Sequence, residues 1–228
     1  MSQPPFTDLD AAPATVKPYA YPLDEFYLAA GLPLPLLEPV PSEAVPEPFK
    51  TLLVHENDMT PTLEAFHGGE IHLQVLRSYI KGGFYFREVV LRLDRSEEPV
   101  EFGASRINLN GLTCTARRLI LEEHLPLGRI LRDFKIPHQN HPEVFLRVES
   151  DAFINRAFGL SDRQILYGRH NLMVDLQQRP LSEIIEILPP LLPETLSRIQ
   201  AVARTPHPDP LPIRMGRGSS PPGASDGH

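Results

Sequence analysis

The fold is decided between residues 70 and 93, where the chain reads EIHLQVLRSYIKGGFYFREVVLRL. Both halves of this stretch are rich in β-branched and aromatic residues, which favour strands. Lys81, Gly82 and Gly83 separate the halves, and glycine reaches positive φ without steric cost. The stretch therefore predicts a β-hairpin with strands at 70–80 and 84–93.

Further strands are predicted on the C-terminal side of this hairpin. One at 99–109 follows a polar turn, so that three consecutive strands form an antiparallel meander. The others are predicted at 144–148, 165–176 and 181–188. Six strands with short helices between them, and no regular βαβ alternation, predict an α+β fold with one antiparallel sheet.

Short helices are predicted where apolar residues recur at helical spacing. These segments are 23–30, 114–123 and 126–134, with helix or irregular structure near 151–158. A further helix is predicted to begin with Thr60 as N-cap and Pro61 at its first position, and to end at Gly68. This assignment leaves Met59 just before the helix.

Composition predicts one principal domain with irregular ends. A chain of 228 residues with 41% hydrophobic side chains can bury one sizeable core. Of the 26 prolines, eleven lie at or before Pro48 and nine lie from Pro189 onward. We therefore expect an acidic, proline-rich lead with a short helix at 1–48, a domain at 49–193, and a largely disordered extension at 194–228.

The charge pattern argues against several classes of partner. The formal net charge is −7, and residues 1–48 alone carry seven acidic side chains against a single Lys17. Without a basic stripe, neither nucleic acid nor an anionic membrane surface is expected as a partner. A single Cys114 excludes an intramolecular disulfide, and no apolar run is long enough to span a bilayer. We expect a soluble, cytoplasmic monomer.

Two adjacent charges interrupt the apolar strand predicted at 84–93. Because side chains alternate along a strand, Arg87 shares a face with Val89 and Leu91, whereas Glu88 lies on the opposite face. Burying a guanidinium costs several kcal/mol unless a carboxylate or a bound anion meets it. Arg87 is therefore either half of a structural ion pair or an anion-binding residue.

The run PLSEIIEILPP at 180–190 also places carboxylates in an apolar strand. Glu186 alternates with Ile184 and Leu188, so it is buried if that row is buried. The structural interpretation of Glu186 is that it pairs with an arginine in the core. Glu183 lies on the opposite face of the same strand, where it would be an edge residue in solvent.

Other candidates have simpler structural interpretations. Leu127 and Arg129, in PLGRIL at 126–131, would line a pocket or belong to the core and surface of a helix. Gly168 and Arg169, inside a predicted strand, are most simply explained by a β-bulge. The pairs His67 with His72 and His138 with His141 lack the spacing of a metal site. No nucleophile elbow, P-loop or dinucleotide-binding pattern occurs.

Taken in order, several short segments resemble the chorismate pyruvate-lyase family and its chorismate-lyase-like relatives. The resemblance covers roughly residues 52–190, through Leu52-Leu53 to Met59-Thr60, FREVVL at 86–91, PLGRIL at 126–131, YGRHN at 167–171 and RPLSEIIEILPP at 179–190. It implies a six-stranded antiparallel sheet with helical flaps over a buried site, where chorismate is split into 4-hydroxybenzoate and pyruvate without metal or organic cofactor. It leaves open whether the product serves quinone synthesis or another pathway.

The resemblance also implies roles for particular residues. Arg87 matches the arginine that holds a carboxylate, and Met59 and Leu127 match residues that contact the ligand. Glu186 matches the glutamate opposite the ring hydroxyl when residues are counted back from Pro190. Counted from Pro180 the match falls on Ile185, and a one-residue bulge reconciles the counts.

Some residues leave alternatives open. Glu183 is the reserve for Glu186. In YGRHN, His170 stands where a second arginine would be expected, which leaves Arg169 and Arg129 as candidates for a second carboxylate contact.

Two other functions fit the same fold. Relatives serve as effector-sensing domains of transcription regulators, so a binding protein without turnover is one alternative. An enzyme that makes a different hydroxybenzoate is the other.

Overall fold

The computed structural model describes residues 18–191, which contain one seven-stranded antiparallel sheet. Its strand order is β1-β5-β6-β7-β4-β3-β2. The strands are β1 Leu36–Val40, β2 Ile71–Lys81, β3 Phe84–Leu93, β4 Pro99–Asn108, β5 Gln139–Glu149, β6 Ile165–Val174 and β7 Pro180–Leu188. The α-helices are α1 Leu23–Ala29, α2 Phe49–Leu53, α3 Met59–His67, α4 Cys114–Leu121, α5 Leu127–Asp133 and α6 Ala152–Phe158. The predicted disordered extension at 194–228 lies outside the described residues.

The predicted hairpin and meander are confirmed. β2 and β3 pair antiparallel from Lys81 with Phe84 outward, and the two residues between them, Gly82 and Gly83, have φ of 61° and 82°. Two consecutive positive φ angles match the right-handed twist of the flanking strands, which is why glycine occupies both positions. β4 then pairs with β3 to complete the meander.

The expectation of six strands is wrong, because β1 adds a seventh at the edge of the sheet. β1 pairs with β5 and contains Pro39, a residue that only an edge strand tolerates easily. It lies inside the predicted lead at 1–48, as does α1, and Leu37 of β1 is buried beside residues of α1. The proposed domain boundaries stay a prediction, but this part of the lead packs on the same sheet.

The sheet has helices on both faces. On one face, α1 and α6 pack over Phe86, Val90 and Phe102. On the other face, residues of α2 and α3 pack with Val89 and Leu91, and residues of α4 and α5 form a separate apolar cluster. The first face carries Glu88, which pairs with Arg77 (2.6 Å). Arg87 therefore lies on the opposite face from Glu88, as the alternation predicts.

Helix α3 begins earlier than predicted. Its N-cap is Asp58 in extended conformation, so Met59 is its first residue, and Gly68 ends it with φ of 67°. Thr60 does not cap the helix. Met59 and Thr60 thus lie in a first helical turn that faces the sheet and is buried there.

Candidate functional site

A cavity of about 60 Å³ lies between the sheet and the starts of helices α3 and α5. It is several times the roughly 10–15 Å³ that one water needs but smaller than the roughly 150 Å³ cavity that binds benzene, so an aromatic ligand would have to displace its walls. The residues that line it are Asp58, Met59, Thr60, Leu73, Arg87, Val89, Leu91, Glu101, Gly103, Ser105, Pro126, Leu127, Gly128, Asn140, Met173, Ile184 and Glu186.

Three adjacent strands supply the floor of this cavity. Alternate residues of β3, β4 and β7 point to the same face, since successive side chains of a strand point to opposite sides. Pairing in the sheet sets Gly103 opposite both Val89 and Glu186. Arg87 is paired with Ser105, two positions further along the same row. Residues far apart in the chain thus meet through strand register alone.

Arg87 is buried in this floor, and it has no ionic partner among residues 18–191. Only 3% of the residue is exposed, and its Nε and Nη1 donors have no hydrogen-bond acceptor among residues 18–191. Burial lowers the pKa of Arg87 to about 10, so the side chain remains a cation at neutral pH. A structural ion pair, one of the two interpretations that the sequence left open, is not found for Arg87 in the part of the chain that the structure describes, and the anion-binding role stays a prediction.

Glu186 lines the cavity and is also the partner of a core arginine. Its carboxylate accepts a hydrogen bond from Nε of Arg169, which is itself fully buried. Arg169 also donates to the carbonyl oxygens of Leu53 (3.1 Å) and His55 (2.8 Å), in the segment that leads into α3. Arg169 therefore fixes Glu186 from the side and does not line the cavity itself.

Strand β7 contains a one-residue bulge. A bulge of this kind would reconcile the two ways of counting, from Pro180 and from Pro190, to the family glutamate. Val174 pairs with Pro180 and Met173 with Ser182, so Leu181 is the extra residue. Glu186, which is paired with Gly103 of β4, lies on the cavity face. The reserve candidate, Glu183, lies on the opposite face beside Arg106 (3.7 Å) and takes no part in the cavity.

The expected bulge at Gly168 is wrong. Pairing of β6 with β5 and with β7 is regular at this position. Glycine is needed there for a different reason, because a Cβ atom would lie 2.4 Å from the carbonyl oxygen of Glu186. Gly168 thus permits the close approach of the strand that carries Glu186.

Glu101 is a cavity residue that the sequence interpretation missed. It is 5% exposed, and its Oε2 atom has no hydrogen-bond partner within the described part of the chain. Burial raises the pKa of Glu101 well above its usual range and the nearby Glu186 raises it further, against the opposing effect of Arg169 and Arg87. Its signal in the sequence was an acidic residue between Val100 and Phe102 in a predicted strand.

A second missed cluster closes the α3 side of the cavity. Asp58 accepts hydrogen bonds from His138 Nε2 and Asn140 Nδ2, both at 2.8 Å. His138 Nδ1 lies 2.8 Å from the Ile136 carbonyl oxygen, so both ring nitrogens face acceptors and the imidazolium form satisfies both. The bond to Asp58 raises the pKa of His138 above its usual value. Although burial alone would raise the pKa of Asp58, these hydrogen bonds hold it below its usual value.

The remaining candidates lie away from the cavity. Arg129 is on the outer side of α5, where it pairs with Glu70 (3.5 Å) and Asp133 (3.9 Å). Cys114 is exposed. No group of three His, Cys, Asp or Glu side chains within residues 18–191 could hold a metal ion, and the expectation that no cofactor is needed stays a prediction.

The four residues singled out by resemblance, Met59, Arg87, Leu127 and Glu186, all line the cavity. Their roles stay predictions. None of the helices within residues 18–191 is long and apolar enough to cross a membrane.

No protein-family model matches the sequence, and no curated protein matches it either. Among solved structures, the chain is similar to PhnF from Mycobacterium smegmatis, with 12% identity over 60% of this chain and 65% of that chain and a TM-score of 0.46. It is also similar to a GntR-family transcriptional regulator from Bacillus cereus, with 8% identity over 54% and 93% of the two chains and a TM-score of 0.40. The chain is further similar to the C-terminal domain of the histidine utilization repressor from Pseudomonas syringae. The identity is 10% over 53% of this chain and 92% of that chain, with a TM-score of 0.34. These partial likenesses do not bear on what this chain binds.

Proposed function

We propose that the cavity binds a small aromatic carboxylate through Arg87. The observation that carries this proposal is a buried guanidinium on the cavity floor whose Nε and Nη1 have no acceptor in the described part of the chain. An unpaired buried cation is strongly unfavourable, and a ligand carboxylate would meet it with two parallel hydrogen bonds. Only a planar guanidinium offers that paired geometry, which is the reason for arginine rather than lysine at this position.

The walls of the cavity support an aromatic body for the ligand. Met59 and Leu127 come from the roof, and Val89, Met173 and Ile184 come from the sheet. Apolar walls with a few convergent polar groups are typical of small-molecule sites. A flat ring would bury its faces against these side chains while its carboxylate contacts Arg87.

The charges in the cavity suit a ligand with one carboxylate. Among the described residues that line it, Arg87 is the only lysine or arginine. Glu186 is already paired with Arg169. One ligand anion therefore neutralises Arg87, whereas a second carboxylate would need another donor.

A second candidate function is the cleavage of chorismate, which the ordered motifs favour. Loss of enolpyruvate from C3 with the C4 proton leaves an aromatic ring, so the reaction is downhill and depends on orientation more than on a strong nucleophile. In this proposal Arg87 holds the ring carboxylate. The second, enolpyruvyl carboxylate of chorismate meets no further lysine or arginine among the described residues that line the cavity, which is why this function ranks second. Glu186 accepts a hydrogen bond from the 4-hydroxyl or assists removal of the proton, and the helical roof excludes water.

Calorimetry with benzoate and 4-hydroxybenzoate tests the binding proposal. We expect both to bind the wild type, and Arg87→Met to weaken both by at least about 30-fold, because a buried charged contact contributes about 2–5 kcal/mol. Arg129→Met, which removes an arginine from the outer side of α5, is the matched control and should bind as the wild type does. Equal affinities for the two variants would contradict the role of Arg87.

Incubation with chorismate, with pyruvate and hydroxybenzoates followed by chromatography, separates turnover from binding. The lyase proposal predicts equal amounts of pyruvate and 4-hydroxybenzoate, and loss of both products in Arg87→Met and Glu186→Gln. Chorismate or 4-hydroxybenzoate that binds without conversion of chorismate would indicate a binding protein. A different hydroxybenzoate would indicate a related enzyme.

A further inference from the structure

The cavity contains a carboxyl group that the proposed function does not use. Glu101 and Glu186 lie on the same face of adjacent strands, and Glu186 is paired across the strands with Gly103. An added Cβ on Gly103 would lie 3.1 Å from Oε1 of Glu101, so the carboxyl group of Glu101 folds back over the glycine. The Glu101 carboxyl group therefore lies next to the strand position that carries Glu186, and Glu186 raises its pKa.

These two carboxyl groups differ in their partners. Glu186 is held by the guanidinium of Arg169 and is a carboxylate, which only accepts hydrogen bonds. Glu101 has no cation within salt-bridge distance among the described residues, and its Oε2 atom has no partner. Burial and the neighbouring Glu186 both raise the pKa of Glu101, which favours its protonated form, and a protonated carboxyl group offers one O–H donor. The pair thus presents one donor beside one acceptor.

We infer that Glu101 donates a hydrogen bond to a ring hydroxyl of the ligand and thereby selects a hydroxy-substituted over an amino-substituted aromatic carboxylate. A phenol hydroxyl donates to Glu186 and accepts from Glu101 at once. An aromatic amine donates to Glu186, but its lone pair is delocalised into the ring and accepts poorly from Glu101. The inference rests on the proposed function, because the ligand must first place its carboxylate at Arg87.

Arg87 and Glu101 reach the cavity from two separated positions of the sheet. Arg87 is paired with Ser105, and Glu101 lies four residues along the same strand, roughly 13 Å at the usual rise. The side chains of Arg87 and Glu101 both line the cavity, and Oε1 of Glu101 lies over Gly103. In the proposed pose the carboxylate of the ligand contacts Arg87 and its ring hydroxyl points toward Glu101 and Glu186.

Calorimetry with 4-hydroxybenzoate and 4-aminobenzoate tests this inference. We expect the wild type to bind the hydroxy compound about tenfold more tightly, the effect of one hydrogen bond worth roughly 1.4 kcal/mol. Glu101→Leu should reduce the ratio of the two dissociation constants to about one. Glu101→Gln, which keeps a donor, should retain the preference. Glu122→Leu makes the same change at a surface position of the cavity-side helices and is the control.

The possible outcomes separate this inference from the proposed function. Equal binding of both compounds by the wild type, or an unchanged ratio in Glu101→Leu, would overturn the role of Glu101 while leaving the carboxylate site intact. If Glu101→Gln behaves like Glu101→Leu, the role of Glu101 is also overturned, because a hydrogen-bond donor at this position would then not determine the preference for the hydroxy compound. If the wild type binds neither compound, the proposed function falls and this inference with it.

Discussion

Replacing Arg87 with methionine should stabilise the unliganded protein while removing its ligand response. A pKa of about 10 in place of 12.5 corresponds to roughly 3 kcal/mol at 1.36 kcal/mol per pKa unit. Methionine fills similar space without the buried charge. We therefore expect a gain of about 2–3 kcal/mol in the free energy of unfolding, and a rise of roughly 4–12 °C in Tm for a domain of this size.

Arg77 provides the matched control on the other face of the sheet. It is paired with Glu88, whose side chain is fully buried. Arg77→Met would leave that carboxylate without its partner, which typically costs about 3–5 kcal/mol. The two arginine-to-methionine changes should therefore shift stability in opposite directions.

Urea unfolding with and without ligand measures both effects. At 100 times its wild-type dissociation constant, 4-hydroxybenzoate should add about 2.7 kcal/mol to the wild type and no more than about 0.9 kcal/mol to Arg87→Met, which binds at least about 30-fold more weakly. Destabilisation by Arg87→Met, as for Arg77→Met, would mean that Arg87 has an internal partner. Retained stabilisation by ligand would mean that the anion binds elsewhere. Either result refutes the reasoning.

Three further predictions concern the frame around the cavity. The raised pKa of His138 gives stability that is present below about pH 6.5 and is lost as the pH rises through the folded pKa. The lowered pKa of Asp58 gives stability that is present above about pH 3.8 and is lost as the pH falls through the folded pKa. The difference in unfolding free energy between wild type and Asp58→Asn should therefore be largest between about pH 4 and 6.5, and a difference independent of pH would contradict the ion pair. Gly168→Ala should destabilise by about 1–3 kcal/mol because its Cβ meets backbone, whereas Gly69→Ala, with an ordinary 3.5 Å contact, should be nearly neutral in the same thermal melts. Asp151→Ala should cost about 0.5–2 kcal/mol in denaturant unfolding, because the carboxylate caps α6 through the amides of Phe153 (3.0 Å) and Ile154 (2.8 Å), and an unchanged midpoint would show that water replaces the cap.

The parts of the fold that local chemistry controls were predictable from sequence. The Gly82-Gly83 turn and the adjoining β-branched runs fix the hairpin within a few residues of itself. Strand β1 escaped prediction because it is short, contains Pro39 and gains its strand conformation only from pairing with β5, more than a hundred residues later. No local sequence pattern indicates a pairing partner so far away in the chain.

The site was predictable where a local sequence pattern marks a residue. Arg87 and Glu186 stand out as charges in apolar strands, and the bulge at Leu181 could be inferred from the two motif counts. Glu101 and Asp58 did not stand out, because their importance comes from neighbours on other elements. Whether a polar residue faces the cavity or solvent depends on register across the sheet, which a single strand does not reveal.

Arg169 has a consequence for any attempt to redesign this protein. One guanidinium binds Glu186 in the sheet and the carbonyl oxygens of Leu53 and His55, more than a hundred positions away in the chain. The segment before α3 and the strands beneath it are therefore a single unit for grafting. Transplanting the strands onto another scaffold without residues 53–57 would leave several buried donors of Arg169 unsatisfied, and the graft would carry the binding groups without the support that orients them.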